Sequence, residues 1–430
     1  IGYTSYALFS FTKTSNNVIE ATVGKIEKKP NAPVLASNMI PVYYDETTET
    51  WKKADLANPN NTYKWYNYNN GMWANAVTVT SSSRSKYLNA SIGTAISMND
   101  ITTMWVWIPR FNAATPSNYN GGTKTSPGAI DVTFVKSNET AIDAFTFGNK
   151  ELSGFWYAKF ETSHSTLTSS TTNNNLGCSN ERCSNANGII IKPNVKSLRY
   201  NNVSNFFFAS RSMEKSGNSF GFVSTEVDTH MSKNNEWGAV AYLTQSIYGR
   251  CTNSTTCSEV GINNNSGYLT GYGAPAGSSS SVANGAYNTT LGKNASTTGT
   301  IYGIYDMNGG AVEYVMGVLA DTNGKPRSGY NSSSNSGFTG MLNDGTTYTG
   351  IAFPDSKYYN LYTGSSYTGH ALTETAGWYS DFAGFVFTGS SWFFRGGNYN
   401  TSALSGVFFF NNRNGDSSNI SSSRPVISNK

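Results

Sequence analysis

Few residues of this chain could do chemistry, and their spacing limits what that chemistry is. Histidine occurs three times, at His164, His230 and His370. The three lie far apart and form no ligand-spaced motif, so each is expected to be structural. The four cysteines fall in two tight pairs, Cys178 with Cys183 and Cys251 with Cys257. Neither pair has Cys-x-x-Cys spacing and no histidine lies close by, which argues against zinc. Both pairs sit in Asn/Ser/Thr-rich stretches, which suits two local disulfides in an oxidising compartment; cross-pairing between the two loops stays open. Closing so short a loop removes little chain entropy, so these bridges would stiffen loops more than stabilise a fold. Asp306 and Glu313 are an isolated pair of acids that could serve as general acid and base. No Gly-x-Ser-x-Gly, phosphate loop or dinucleotide fingerprint stands out. Asp321-Thr322-Asn323-Gly324 is half of a calcium loop without its distal Glu.

The two acids belong to the stretch Tyr302–Gly317, around which the other motifs are arranged. Its apolar residues Ile304, Tyr305, Met307, Val312, Tyr314, Val315 and Met316 flank Gly309-Gly310. An apolar run broken by paired glycines reads as two buried segments meeting at a tight turn, with dihedrals that glycine adopts cheaply. The stretch resembles the signature of the formylglycine-generating-enzyme (sulfatase-modifying factor) superfamily: Gly303, Tyr305, Asp306, Met307, Gly309 and Glu313 match it. Gly310, Ala311, Val312 and Tyr314 depart from it. Phe394-Arg395-Gly396-Gly397-Asn398-Tyr399, Ser423-Arg424-Pro425-Val426, the run Lys233–Tyr242 and the run Gly154–Thr162 are similar to further motifs of that family, in its order. The resemblance implies a C-type-lectin-like domain, with Asp306 and Glu313 in the core holding loops by hydrogen bonds. Family enzymes oxidise a cysteine with copper held by two C-terminal cysteines. Here no cysteine follows Cys257, so that chemistry lacks its ligands. The family asparagine that helps to hold a structural calcium is Gly310 here. No catalytic residue, metal or cofactor is therefore expected.

Residues 398–415 look like the variable region of C-type-lectin-fold proteins diversified by retroelements. That resemblance implies ligand contacts at Asn398, Tyr399, Asn400, Phe408, Phe410, Asn411 and Asn414. The opposing reading makes Phe408 and Phe410 core and the asparagines turns.

Along the chain, residues 1–30 read as an N-terminal β-segment with two strands around Ser15-Asn16-Asn17, Tyr6, Leu8 and Ser10 alternating with Ala7, Phe9 and Phe11. This segment is similar to the start of camelysin-type biofilm-fibre subunits. An apolar strand at a chain terminus either pairs within its own domain or adds to a neighbour's sheet, which makes Tyr3, Tyr6, Leu8, Phe9 and Phe11 candidate assembly residues. Lys28 to Pro33 read as a linker. Residues 31–88 read as a small aromatic-rich β-module, in which Tyr63–Trp73 forms a hairpin about Asn70-Gly71; its Trp and Tyr either bind glycan or form the module's core. Residues 89–430 read as the large domain, opened by a buried strand Met104–Arg110. One helix is expected within Asp228–Gly249, with Trp237, Val240, Ala241 and Leu243 on one buried face.

Composition points the same way. Charged residues are 13% of the chain, against about a quarter in ordinary domains, while Tyr (27) and Gly (42) are abundant. Such a chain suits strands, turns and ordered loops, and its Tyr, Gly, Asn and Ser are the residues of adaptable recognition surfaces. A net charge of +4 with no basic run gives no footprint for nucleic acid, and no 18-residue apolar stretch spans a membrane. The chain opens at Ile1, consistent with a removed signal or anchor. The sequence thus predicts an α+β, β-rich, non-enzymatic bacterial surface protein, extracellular and disulfide-bonded. Its first reading is a structural or adhesive subunit of a filament, self-associating through the N-terminal strand. The alternative is a display protein binding a host, glycan or protein ligand. A copper oxidase ranks last.

Overall fold

The computed structural model describes residues 29–57, 64–168, 175–279, 285–327 and 352–430, with the backbone of the strands Phe9–Lys13, Ile19–Val23, Phe338–Met341 and Tyr348–Ile351. The fold is mixed α+β and β-rich, with 26% strand against 17% helix. Its largest element is a seven-stranded antiparallel sheet. In spatial order its strands are Val227–Met231, Pro425–Asn429, Gly154–Ala158, Ile101–Pro109, Asn75–Val79, Ile40–Asp45 and Thr50–Lys53. A second, five-stranded sheet is built on Val312–Leu319, which pairs with Asn360–Tyr362, Trp392–Arg395 and Ser421–Ser422; Phe410–Arg413 adds beyond Trp392–Arg395.

The seven-stranded sheet redraws the sequence-derived boundary at residue 88. Three of its strands come from residues 40–79, and Asn75–Val79 pairs directly with Ile101–Pro109, so residues 31–88 share one core with the rest. The linker reading changes as well. Asn31 is buried; its amide donates to the carbonyls of Val135 (2.9 Å) and Ser153 (3.1 Å), and its carbonyl accepts Trp107 Nε1. The aromatics of this region are core, not a glycan platform. All nine tryptophans are buried, and Trp65, Tyr68 and Trp73 each donate a hydrogen bond to a core carbonyl, at Asn75, Trp107 and Tyr248. In place of a two-stranded hairpin about Asn70-Gly71, the run 64–73 closes on a single antiparallel bridge, Asn67 with Met72. It turns through a short 3-10 segment, Tyr68–Asn70, closed by left-handed Gly71; Tyr63 lies outside the described residues.

The expected helix is Asn234–Thr244, and the sequence before it, Val227–Met231, is a strand. Every residue of the helix is buried, since it lies between the sheets rather than on a surface. Gly238 allows this: a Cβ there would stand 2.1 Å from the carbonyl oxygen of Gly369. A second helix, Val203–Arg211, was not legible, because its Phe-Phe-Phe run carries no helical period.

Two buried ionic groups lock the layers. Arg424, just before the strand Pro425–Asn429, makes a two-pronged contact with Glu313 of the second sheet (Nε to Oε2, 2.6 Å) and donates to the carbonyls of Ala158 and Tyr305. Both side chains are shielded from solvent. His230, on the strand Val227–Met231, lies between Glu236 at the start of the helix (2.9 Å) and Asp228 (3.3 Å), with its ring on Phe147. Lys233 and Arg211 add positive charge to the two carboxylates, and Tyr358 donates to Asp228. Burial alone would push the imidazole down, but the flanking Glu236 and Asp228 outweigh it and hold it above 6.5.

Glu313→Gln leaves a buried guanidinium without its counter-charge and is expected to cost on the order of 3–5 kcal/mol, read from the denaturant midpoint. His230 is protonated longer in the folded than in the unfolded chain, so its contribution is complete below pH 6.5 and declines as pH rises through the folded value. Urea titrations from pH 6 to 9 should show stability falling, and His230→Gln should remove that component.

Candidate functional site

The segment from Gly396 to Asn414 is held from beneath by buried groups. At the Gly309-Gly310 corner both residues are left-handed (φ 82 and 71). A Cβ at Gly310 would stand 2.3 Å from Glu161 Oε1, and one at Gly309 would stand 2.4 Å from the Asn263 carbonyl oxygen. The corner sets the segment's height, because the Gly309 amide donates to the Gly396 carbonyl (3.0 Å) and the Tyr399 amide donates to the Gly310 carbonyl (2.8 Å). Arg395 is fully buried and donates to the carbonyls of Phe409, His370 and Ala371 and to Asn234 Oδ1. Burial lowers its pKa to about 10, so it remains charged at neutral pH. Asp381 accepts the Phe408 amide (2.9 Å), and burial together with the nearby Glu259 pushes its carboxyl well above the usual range.

The acids of the central stretch serve the corner. Asp306, itself left-handed (φ 62), accepts Asn263 Nδ2 (2.8 Å) and the amides of Gly271 (2.8 Å) and Glu161 (3.4 Å), drawing three chain segments together. Glu161 accepts the Ala311 amide (2.8 Å). Burial, then the neighbouring Asp306 and Glu313, push Glu161 well above the usual range. The carboxyl groups of Glu161, Asp306 and Glu313 are buried and bound to backbone or to Arg424, an arrangement that holds the surrounding loops together.

The seven sequence-derived contact residues divide. Asn400 is exposed; Asn398, Tyr399, Asn411 and Asn414 are half-buried. Asn398 is a turn residue, its Oδ1 accepting the Asn400 amide (2.9 Å) and the Thr401 hydroxyl (3.0 Å). Tyr399 meets the edge of Tyr268 (ring centres 4.9 Å), and the Arg199 guanidinium covers the same Tyr268 ring at 3.8 Å. Phe408 and Phe410 are corrected to core: each is 2% exposed, Phe408 packed on Trp378 and Phe410 on Phe393. They sit within a strand-forming aromatic run, and the run turns inward because the Asp381 carboxylate captures the Phe408 amide.

Sequence reasoning missed the residues that do face solvent. Phe382 (42% exposed), Phe387 (56%) and Leu404 (50%) face solvent, Leu404 on the same loop as Asn400. Phe382 and Leu404 are joined by backbone: the Phe382 amide donates to the Leu404 carbonyl (2.9 Å) and the Phe410 amide to the Phe382 carbonyl (3.1 Å). The available signal was Asp381–Ser390, where aromatics alternate with Gly and Ala and cannot all be buried. The outcome is a rigidly supported surface of aromatic, aliphatic and amide groups, suited to stacking and adaptable hydrogen bonding.

Elsewhere the three histidines are engaged. His164 pairs with Thr166 and the Asn185 carbonyl, and His370 pairs with Tyr362 and Asp143. Among the described residues no group of three or more His, Cys, Asp or Glu side chains could hold a metal. The disulfides are the two local ones, Cys178–Cys183 and Cys251–Cys257. Of the candidate assembly residues, Tyr3, Tyr6 and Leu8 lie outside the described residues, and Phe9 and Phe11 fall in the strand Phe9–Lys13.

No family model matches the chain, and no curated protein matches it.

Phe408→Ala should cost on the order of 3–5 kcal/mol as a core truncation, whereas Asn400→Ala should stay within about 0.5 kcal/mol; parallel thermal melts separate the two.

Proposed function

We propose that this chain is an extracellular, non-enzymatic binding protein that presents the surface around Phe382, Tyr399, Asn400 and Leu404 on a C-type-lectin-like scaffold of the formylglycine-generating-enzyme kind. The observation that carries the reading is the exposure of Phe382 and Leu404 beside Asn400, above a support fixed by Arg395, Asp381 and the Gly309-Gly310 corner. Exposed aromatic and aliphatic groups on rigid backbone contact a ligand with little ordering cost. The family resemblance gains weight because two of its motifs meet in space, Glu313 and Arg424 forming one buried pair. Two disulfides fit a secreted protein, and no helix among the described residues is long and apolar enough to cross a membrane.

A second reading, a subunit of an extracellular filament, is favoured by the N-terminal hairpin. Its strands Phe9–Lys13 and Ile19–Val23 form a two-stranded sheet of their own.

The binding reading is tested on arrays of glycans and extracellular proteins. Wild-type chain should bind saturably to a restricted set, and Tyr399→Ala with Leu404→Ser should weaken that binding at least tenfold without lowering the melting temperature. Equal binding by the variant, or no saturable binding by the wild type, would sink it.

A further inference from the structure

The first disulfide braces one wall of a charged cleft. Glu181 and Arg182 lie within the loop closed by Cys178–Cys183. That loop is tied to the short 3-10 segment Ser212–Glu214: the Cys183 amide donates to Ser212 Oγ (3.0 Å), and the Ser212 hydroxyl donates to the Asn180 carbonyl (3.3 Å). Asn180 Oδ1 accepts the Arg182 amide (2.8 Å), which fixes the backbone from which Arg182 projects. A bridge across so short a loop does little for the stability of a fold. Here it holds two charged side chains beside the end of the helix Val203–Arg211.

Between the loop and that helix end opens a cleft of about 510 Å³, within the size range of small-molecule sites. Arg211 lines it and is only 7% exposed. Its guanidinium meets the carboxylates of Glu181 (3.2 Å), Glu214 (3.0 Å) and Asp228 (2.9 Å). A buried guanidinium paired in this way has little freedom to move. Lys430 adds a second cation at Glu214 (3.2 Å) and Lys357 one at Asp228 (3.6 Å), so the three carboxylates are balanced. His230, also on Asp228, is matched by Glu236, and Glu226 is engaged by the Ser37 amide (3.0 Å). Arg182 and Lys215 line the cleft without a side-chain partner among the described residues. The cleft thus carries two uncompensated positive charges over a fixed ionic base.

Its other lining groups narrow the ligand. Ser216 and Ser224 offer hydroxyls, and the Glu181 side chain is 49% exposed. A bare anion would meet Glu181 with nothing to donate. A ligand that also carries hydroxyls can donate to Glu181 and to the serines while its anionic group lies on Arg182 and Lys215. Among the described residues no apolar or aromatic side chain lines the cleft, so it offers nothing to an acyl chain or a stacked base.

We propose that this cleft binds an anionic sugar, a hydroxylated ring bearing a carboxylate or a sulfate, with Arg182 and Lys215 as the charge contacts and Cys178–Cys183 as the brace that preorganises them. It shares no residue with the surface around Tyr399 and Leu404, and the two readings are tested separately.

Calorimetric titration at about 0.15 M salt, where remote charges are screened, tests it with tetrasaccharides of hyaluronan (carboxylate), carrageenan (sulfate) and cellulose (neutral). Wild-type chain should bind at least one of the anionic sugars saturably and the neutral one at least tenfold more weakly; the sugar that binds tells carboxylate from sulfate. Arg182→Ala with Lys215→Ala should weaken that binding at least tenfold at an unchanged melting temperature. Cys178→Ser with Cys183→Ser, verified as folded, should weaken it as well. Lys124→Ala with Lys325→Ala, which removes equal charge from exposed positions elsewhere, should bind as wild type does, and so should Tyr399→Ala with Leu404→Ser. The proposal is overturned if neither anionic sugar binds, if the neutral sugar binds as tightly, or if the Arg182 and Lys215 variant keeps its affinity. Loss of binding in the Tyr399 and Leu404 variant alone would move the sugar to the other surface and overturn it equally.

Discussion

A buried pair, Arg424 with Glu313, ties the two sheets together. Arg424 reaches Glu313 on the second sheet, Ala158 at the end of a strand of the first, and Tyr305 in the connection between them. A guanidinium with no access to water tolerates few arrangements, because each unpaired donor would carry its full desolvation cost. The positions of Glu313, Ala158 and Tyr305 are therefore mutually constrained. Lys159 extends the lock by donating to the carbonyls of Ile301 and Gly303 from a fully buried site, where burial drives its pKa well down.

That constraint explains why the candidate binding surface stands on firm ground. The Gly309-Gly310 corner follows the Tyr305 contact and precedes Glu313, so both of its flanks are fixed. The corner in turn receives the backbone of Gly396 and Tyr399. Side chains at Asn400 or Leu404 can change without disturbing the layers beneath. Changes at Asp381 or Phe408 cannot, since their contacts are internal.

Much of the scaffold was legible because its residues have narrow chemical roles. Paired glycines marked a corner, Pro109 marked the end of a strand, and the Trp-Gly-Ala-Val-Ala run marked the buried helix. Of the pairings the cysteine spacing left open, the structure has the two local disulfides. What misled was hydrophobic content without a period. The aromatics of residues 43–73 read as a separate module, because sequence does not show that they pack against Trp107 and Trp156 from later in the chain. The same gap placed Phe408 and Phe410 on the surface and overlooked Phe382 and Leu404. Exposure in an aromatic-rich loop depends on partners distant in sequence, such as Trp378 for Phe408, and no local pattern encodes them.

The order of strands in the larger sheet bears on how the molecule comes into being. Pro425–Asn429 lies between Gly154–Ala158 and Val227–Met231, away from either edge. The strand that joins Val227–Met231 to the rest of the sheet is thus made after almost everything else described, and the ion pair at Arg424 waits for the same segment. Contacts of such long sequence separation form slowly. Until that strand has been synthesised, Val227–Met231 has no neighbour through which to join the other five strands of the first sheet.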